Sequence, residues 1–313
     1  MPTGLLLVDK PQGLTSHDVV ARARRALGTR KVGHAGTLDP MATGLLTLGA
    51  GPATRLLTYL VGLDKTYETT LRLGAATTTD DAEGEVVSTA DREAVAAVTD
   101  EALAAGIRAL TGGIDQRPSS VSAIKVDGKR AYDRVRAGEE VELASRRVTI
   151  SAFEVLAVRR TAAAIEVDAR IDCSSGTYIR ALARDLGAAL GIGGHLTALR
   201  RTRVGPFDVA DAVSLEALAE QGTTLLASPA EVAARLFPAL EVDAAQARDL
   251  GHGKLLSLRE QPDSEPVAAI ERGTGGAHPD RLVALISVRQ GRGRTLVGFP
   301  NDTAPASAQE ASP

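Results

Sequence analysis

Apolar and polar positions divide the first two thirds of the chain into short strands and amphipathic helices. Compact or alternating apolar runs predict strands, whereas apolar residues that recur every three or four positions predict helices. The first helix follows Thr15 or Ser16 as a cap and ends at Gly28. The predicted elements are strands over 4–9, 45–48, 65–73, 148–158, 163–173 and 195–204, and helices over 17–27, 53–61, 91–111 and from a Ser174 or Ser175 cap through Leu190.

Residues 116–147 interrupt this pattern. A polar loop precedes a predicted strand over 121–126, an Asp127-Gly128 turn and a predicted helix over 130–137. The segment is rich in basic side chains and contains Tyr132. This composition is typical of an insertion that lies on a nucleic acid backbone, and it fits a solvated surface excursion almost as well.

The last part of the chain has a different character. Residues 238–300 predict a small β-rich unit, with a helix near 243–250 and strands over 281–288 and 294–299. The tail consists mainly of Ala, Ser, Pro, Gln and Glu, which predicts disorder. We therefore divide the chain into a large domain over 1–233, a small domain over 234–301 and a tail over 302–313.

Composition places the chain among ordinary globular proteins. It has 313 residues, of which 44% are hydrophobic and 24% are charged. No apolar run approaches the roughly 20 residues of a membrane-spanning helix, and Asp9 and Lys10 interrupt the first run, which favours a strand over a signal peptide. Cys173 is the single cysteine, so an internal disulfide is excluded and a cytoplasmic location is expected.

Charge is segregated along the sequence although the net charge is only −3. Basic side chains outnumber acidic ones in residues 1–60, and the reverse holds in residues 80–115. A protein with one face that binds a polyanion would show such polarity. A mixed, solvated surface explains the same charges equally well.

Several common catalytic and binding motifs are missing from the sequence. The lone cysteine and the scattered histidines argue against a structural zinc site. Neither a P-loop nor a dinucleotide-binding fingerprint occurs, and no Gly-x-Ser-x-Gly indicates a serine nucleophile.

The stretch from Lys31 to Gly44 is the strongest remaining candidate. It combines three glycines and a histidine with one carboxylate, Asp39, which precedes Pro40. The proline fixes its own φ and biases Asp39 towards an extended conformation, which predicts a stiff loop. Ordinary turn chemistry explains this spacing slightly better than catalysis does. Arg180 near a helix start and Tyr67 on a strand complete the candidate constellation.

Seven segments, taken together, resemble the TruB family of tRNA pseudouridine synthases over about residues 4–207. The catalytic stretch of that family is similar to Gly33-His34-Ala35-Gly36-Thr37-Leu38-Asp39-Pro40 with Ala42-Thr43-Gly44. The other segments match in the same order: Val8-Asp9-Lys10-Pro11, Lys65-Thr66-Tyr67, the Thr77–Gly84 loop, Pro118-Ser119 through Gly128, Cys173-Ser174-x-Gly176-Thr177-Tyr178-Ile179-Arg180, and Gly194-His195-Leu196 through Arg201.

The resemblance implies a fold and a reaction. The expected fold is α+β: a pseudouridine synthase core with a mixed, largely antiparallel sheet flanked by helices, plus a small PUA-like β-rich domain at the C-terminus. The implied reaction isomerises uridine 55 in the T loop of tRNA. It is redox-neutral, so no metal or organic cofactor is expected. The implied partner is the T arm of tRNA, with no protein partner, and a monomer is the default.

The resemblance also implies residue roles. Asp39 would be the nucleophile, and its attack on the ribose, its attack on the base and a glycal route remain open. Arg180 would pair with Asp39 and lower its pKa, by about 1 to 3 pH units in typical cases. Tyr67 would stack on the flipped uracil and assist proton transfer at C5, Tyr178 and Leu199 would line the pocket, and His34 would fill the space that the base leaves.

Ordinary structural roles compete with these assignments. A surface ion pair for Arg180, core positions for the tyrosines and the leucine, and a satisfied loop histidine all fit the sequence. Lys10 and Pro11 are expected to support the Asp39 loop. The candidates for contacts to the RNA backbone are Lys125, Lys129, Arg130, Arg146, Arg200 and Arg201.

Two other functions remain open at this point. One is a dyskerin-like synthase directed by a guide RNA, against which the long insertion and the lack of basic tails argue. The other is a protein that folds or binds RNA without catalysis. The presence of Asp39, Tyr67 and Arg180 together argues against such a loss.

Overall fold

A computed structural model of the protein describes residues 1–119, 125–126, 129–130, 144–273 and 279–300. The predicted strand over 121–126 and the predicted helix over 130–137 lie mostly outside these residues. The tail over 302–313 lies wholly outside them.

One large sheet dominates the N-terminal three quarters of the chain. The strands up to Asp208 are β1 (Gly4–Lys10), β2 (Val32–Ala35), β3 (Thr43–Ala50), β4 (Lys65–Leu73), β5 (Ala75–Thr77), β6 (Val86–Thr89), β7 (Gly112–Gln116), β8 (Lys125–Val126), β9 (Lys129–Arg130), β10 (Arg146–Arg160), β11 (Ile165–Cys173), β12 (Gly194–Val204) and β13 (Phe207–Asp208). Nine of them form a sheet in the order β1-β3-β12-β4-β11-β10-β7, with β2 on β3 and β13 on β12. Only the β12–β3 pairing is parallel, so the predicted mixed, largely antiparallel sheet is confirmed.

Helices cover the sheet and pack apolar stripes against it. Their bounds are α1 (Ser16–Ala26), α2 (Leu57–Val61), α3 (Arg92–Ala97), α4 (Asp100–Ala109), α5 (Ile179–Ala189), α6 (Leu215–Gln221), α7 (Pro229–Leu236) and α8 (Ala244–Gly251). In α1, Thr15 is the N-cap, one of the two caps that the sequence predicted, and it forms a capping box with Asp18. Val19, Val20 and Ala23 of this helix are buried.

The predicted cap of α5 is wrong. The helix begins at Ile179, with Tyr178 at the N-cap and no side-chain cap. The Ser174 hydroxyl instead accepts a hydrogen bond from the Thr149 amide, and the Ser175 hydroxyl donates to the Val61 carbonyl. These serines therefore tie the turn before α5 to neighbouring elements.

The C-terminal part is a separate five-stranded sheet, which confirms the expected β-rich unit. Its strands are β14 (Ala239–Val242), β15 (Leu256–Ser257), β16 (Ser264–Glu271), β17 (Arg281–Arg289) and β18 (Arg292–Gly298), in the order β14-β16-β17-β18-β15. The predicted boundary after residue 233 falls inside α7. Ala233 of that helix shares an apolar cluster with Leu5 of β1 and Leu285 of β17, so α7 packs between the two sheets.

Within the described residues, no helix combines the length and the apolar character needed to cross a membrane.

Candidate active site

A cleft of about 330 Å³ opens where the loop after β2, the start of α5 and strands β4 and β12 meet. This volume lies at the lower end of the range typical of small-molecule sites. Residues that are far apart in sequence line it, including Asp39, Tyr67, Arg146, Tyr178, Arg180, Leu199 and Arg201. The structure thus brings together four of the five residues that the resemblance placed around Asp39.

The loop that carries Asp39 is held from beneath by two buried polar side chains. The Ser16 hydroxyl accepts from the Leu38 amide at 2.9 Å and donates to the Leu38 carbonyl at 3.1 Å. The Lys10 ammonium, which is fully buried, donates to the carbonyls of Pro40, Pro11 and Leu14. Burial lowers the pKa of Lys10 to about 8, against the attraction of Asp39. These contacts agree with the expected supporting role of Lys10.

Arg180 lies between two carboxylates. Its Nε is 3.1 Å from Asp39 Oδ2, and its Nη1 is 3.2 Å from Asp81 Oδ2 and donates to the Thr79 carbonyl at 2.8 Å. The Arg180 side chain is only 3% exposed. The expected Asp39–Arg180 pair is therefore present, and a surface ion pair is ruled out by burial.

The expected lowering of the Asp39 pKa is wrong in direction. Burial raises the pKa of Asp39, Arg180 opposes this rise, and the negative charge of Asp81 adds to it. The side chain still lines the cleft and is 39% exposed. Sequence reasoning considered the arginine alone and missed both the surrounding protein and the second carboxylate.

Three apolar or aromatic side chains line the cleft together with Asp39. Tyr67 and Leu199 are each 7% exposed, and Tyr178 is half-buried. Burial raises the pKa of Tyr67, so its hydroxyl keeps its proton at neutral pH. The Gln116 side chain fixes the Tyr178 backbone, since it accepts from the Tyr178 amide at 2.8 Å and donates to its carbonyl at 3.0 Å.

His34 lies on β2, beside the Asp39 loop, and does not line the cleft. Its ring packs edge-on against His17, with ring centroids 5.5 Å apart. No group in the described part of the chain hydrogen-bonds to its buried Nδ1. Burial and His17 together lower the pKa of His34, so the ring is neutral at neutral pH.

The basic candidates for RNA contacts differ in their surroundings. Arg146 lies at the cleft with its guanidinium 5.3 Å from the centre of the Tyr178 ring. Arg200 is part-exposed and binds both carboxylate oxygens of Asp9. The prediction for Arg201 is wrong, because this side chain is 1% exposed and donates to backbone carbonyls. The side chains of Lys125, Lys129 and Arg130 lie outside the described residues.

Metal and thiol chemistry find little support in the described part of the chain. There, no group of three or more His, Cys, Asp or Glu side chains is placed to hold a metal ion. Burial raises the pKa of the Cys173 thiol to about 11, which leaves it unreactive at neutral pH.

Sequence reasoning did not assign to the site three residues that shape it: Ser16, Asp81 and Gln116. Asp81 lies in the matched Thr77–Gly84 loop, where a carboxylate among threonines is ordinary loop chemistry. Ser16 was considered only as a helix cap, and Gln116 only as a loop residue. Their common signal is a polar residue at a position that the fold buries, which a single sequence does not reveal.

Comparison with known proteins covers nearly the whole chain. Residues 24–179 match the model of the TruB family pseudouridylate synthase N-terminal domain, and 180–236 and 237–300 match two C-terminal domain models of tRNA pseudouridine synthases. A tRNA pseudouridine synthase B from Leifsonia xyli subsp. xyli is 60% identical over 96% of this chain and 97% of its own. Another from Thermobifida fusca is 53% identical over 96% of this chain and 99% of its own.

Solved structures share the fold at low sequence identity. A chain in the crystal structure of a Cbf5–Nop10–Gar1 complex is 26% identical, with a TM-score of 0.67 over 92% of this chain and 78% of its own. A chain in an H/ACA RNP bound to a substrate RNA is 24% identical, with a TM-score of 0.68 over 96% of this chain and 87% of its own.

Proposed function

Because the chain belongs to the TruB family of pseudouridylate synthases, isomerases that form pseudouridine in tRNA, we propose that its target is uridine 55 in the T loop. The observation that supports a working enzyme is the Asp39–Arg180 pair, which lies at a cleft lined by Tyr67 and Leu199. A carboxylate fixed by a buried guanidinium beside aromatic and apolar walls suits a nucleobase and its ribose.

Asp39 is the proposed nucleophile. In the reaction the N1–C1′ bond of the uridine breaks, the base turns in the cleft, a C5–C1′ bond forms, C5 loses its proton and N1 gains one. Attack on the ribose, attack on the base and proton abstraction towards a glycal all need an ionised Asp39 carboxylate. Arg180 favours the ionised form of Asp39, since its positive charge opposes the effect of burial and of Asp81 on the Asp39 pKa.

The target base has to leave its stack before it reaches Asp39. Tyr67 then stacks on the uracil and assists proton transfer at C5, Tyr178 and Leu199 line the pocket, and His34 occupies the space that the base vacates. The cationic face of Arg146 beside Tyr178 suits a phosphate next to the flipped nucleotide.

The remaining RNA contacts come from the part-exposed Arg200 and from Lys125, Lys129 and Arg130 of the insertion over 116–147. We propose that the protein acts in the cytoplasm as a monomer, with the T arm of tRNA as its partner and without a protein partner.

The test uses the purified protein and a tRNA transcript with [5-³H]uridine, without cofactor or guide RNA. We expect tritium release and pseudouridine at position 55. Replacing uridine 55 by cytidine should abolish the product, and so should Asp39→Asn. The exposed Asp211, which does not line the cleft, provides the matched control Asp211→Asn, which should leave turnover within about twofold.

Each alternative has its own outcome. Product elsewhere in the tRNA contradicts the target, and product from Asp39→Asn contradicts the nucleophile. Product that requires an added guide RNA indicates a guided synthase. Binding of tRNA without product indicates a protein that folds or binds RNA.

A further inference from the structure

Arg201 lies at the centre of the large sheet, between the two halves of the cleft. Strand β12 runs between β3, which follows the Asp39 loop, and β4, which carries Tyr67. In the register of these strands, Arg201 stands opposite Gly44 on one side and opposite Tyr67 on the other. Its side chain is 1% exposed and lines the cleft.

The guanidinium holds both ends of the Asp39 loop. Its Nε donates to the Leu45 carbonyl at 2.8 Å, and its Nη2 donates to the Gly36 carbonyl at 2.8 Å. Gly36 has φ of +73°, and a Cβ at this position would lie 3.3 Å from Arg201 Nη1. The loop therefore turns tightly over the guanidinium, three residues before Asp39.

Arg201 and Tyr67 stand opposite each other on neighbouring strands, and both line the cleft. Burial raises the pKa of the Tyr67 hydroxyl, and the positive charge of Arg201 opposes this rise. The guanidinium that holds the Asp39 loop therefore also acts on Tyr67.

These contacts are those of a buried cation with neutral partners. Among the residues that the structure describes, no carboxylate forms an ion pair with Arg201, and its guanidinium donates to two backbone carbonyls. Burial of a charge without a counter-ion is costly, and an apolar side chain would fill a sheet interior more stably. The planar fork of arginine is needed where several acceptors have to be held at fixed angles.

We propose that Arg201 is a positioning residue for the isomerisation: it sets the separation between the Asp39 loop and the Tyr67 ring. This inference rests on the proposed function. Arg201 acts through Asp39 and Tyr67 and does not itself contact the reacting atoms.

The test compares Arg201→Lys and Arg201→Met with the same changes at Arg203. Arg203 lies on the same strand and also donates to a backbone carbonyl, at Gly205, but it does not line the cleft. Turnover of [5-³H]uridine tRNA, tRNA affinity by filter binding, and the titration of Tyr67 by NMR of ¹³Cζ-labelled tyrosine are measured for each variant. Tyr67→Phe identifies the Tyr67 signal.

We expect Arg201→Lys to lower kcat about 100-fold, as small displacements of reacting groups do, with tRNA affinity within about twofold. Tyr67 should titrate at higher pH in Arg201→Met, because the positive charge that opposes the effect of burial on its pKa is lost. In the Tyr67→Phe background, Arg201→Lys should cost clearly less than in the wild type. The Arg203 variants should change none of these quantities by more than about twofold.

An unchanged Tyr67 titration in Arg201→Met, or a kcat of Arg201→Lys within about twofold of wild type, would overturn the proposal. If Arg201→Met does not fold, the Nε–H and Nη–H signals of Arg201 are compared between wild type and Tyr67→Phe. Unchanged signals would show that the two side chains do not act on each other and would overturn the proposal. The NMR measurements need no turnover. A failure of the proposed function, with no pseudouridine from wild type, is therefore distinguishable from a failure of the Arg201 assignment.

Discussion

The two sheets of the protein bury different kinds of side chain. Beneath the cleft, the nine-stranded sheet and its loops enclose charged groups, among them Lys10, Asp81, Arg180 and Arg201, each 3% exposed or less. The core of the five-stranded C-terminal sheet is made of apolar residues such as Val242, Leu250, Val283 and Ile286. Its ion pairs lie at the surface or are partly exposed.

This difference separates groups that stabilise the fold from groups that serve the site. Apolar burial stabilises by about 25 cal/mol per Å², whereas a buried ion pair often contributes nothing relative to apolar residues of similar volume. Charges kept in the large sheet at this cost indicate a functional requirement. The charges in the small sheet should be replaceable. The substitutions described below test this difference between the two sheets.

The largest effect is expected for Arg180→Met. The change leaves Asp81 buried without its cation, which should lower the free energy of unfolding by about 3–5 kcal/mol. Turnover should fall at least about 1,000-fold, as for other lost electrostatic contacts at reacting groups, while tRNA binding is retained because the proposed phosphate contacts lie elsewhere. Urea unfolding, tritium release and filter binding measure the three quantities.

Arg180→Lys is the control for this prediction. It keeps the charge and should recover part of the stability, but a single ammonium cannot reproduce contacts to Asp39, Asp81 and the Thr79 carbonyl together. Wild-type stability in Arg180→Met would contradict the view that this guanidinium neutralises a buried carboxylate.

The next effect concerns the apolar sheet. Ile286 of β17 is fully buried in the C-terminal cluster, so Ile286→Ala should cost about 2–5 kcal/mol of unfolding free energy through lost burial and a cavity. The kcat at 20 °C should stay within about twofold of wild type, since no charge near the cleft changes. A loss of kcat comparable to that of Arg180→Met, in a folded variant, would show that the two sheets are coupled in catalysis.

A smaller effect is expected for the pH dependence of turnover. Burial and Asp81 raise the pKa of Asp39, so kcat/KM should fall on acidification at a pH above the usual range of an aspartate, as the carboxylate gains a proton. Asp81→Asn removes the second negative charge, so this acid limb should move to lower pH. Glu83 is exposed and also interacts electrostatically with Asp39. Glu83→Gln should move the acid limb in the same direction as Asp81→Asn, by a smaller amount. A limb that moves to higher pH in Asp81→Asn would contradict the assigned cause.

Much of the large sheet could be predicted because its periodicity is local. Strand β4 has the predicted bounds, and α1 begins one residue before its predicted start, at the predicted Thr15 cap. The start of α5 could not be predicted in this way. Ser174 and Ser175 are good caps, but β10 and α2 offer them other partners once the chain is folded.

The site was predictable in its members more than in its electrostatics. Asp39, Tyr67 and Arg180 were found through segments that resemble a family, and the structure places them around one cleft. The direction of the Asp39 pKa shift and the burial of Arg201 depend on what surrounds each charge. Arg200 and Arg201 are both predicted to contact the RNA backbone, although strand alternation points only one of the pair outwards.

The smallest effect is expected for an ion pair of the C-terminal sheet. Arg281 on β17 donates to Glu271 on β16, with both side chains close to 30% exposed. Arg281→Met should change the free energy of unfolding by at most about 1 kcal/mol, because solvent screens the pair and both side chains regain rotamer freedom. Added salt should weaken the wild type slightly more than the variant, since only the wild type has this attraction to screen. The same Arg→Met change thus serves as the matched control for Arg180, and a loss of several kcal/mol at Arg281 would mean that exposure does not separate the two kinds of charge.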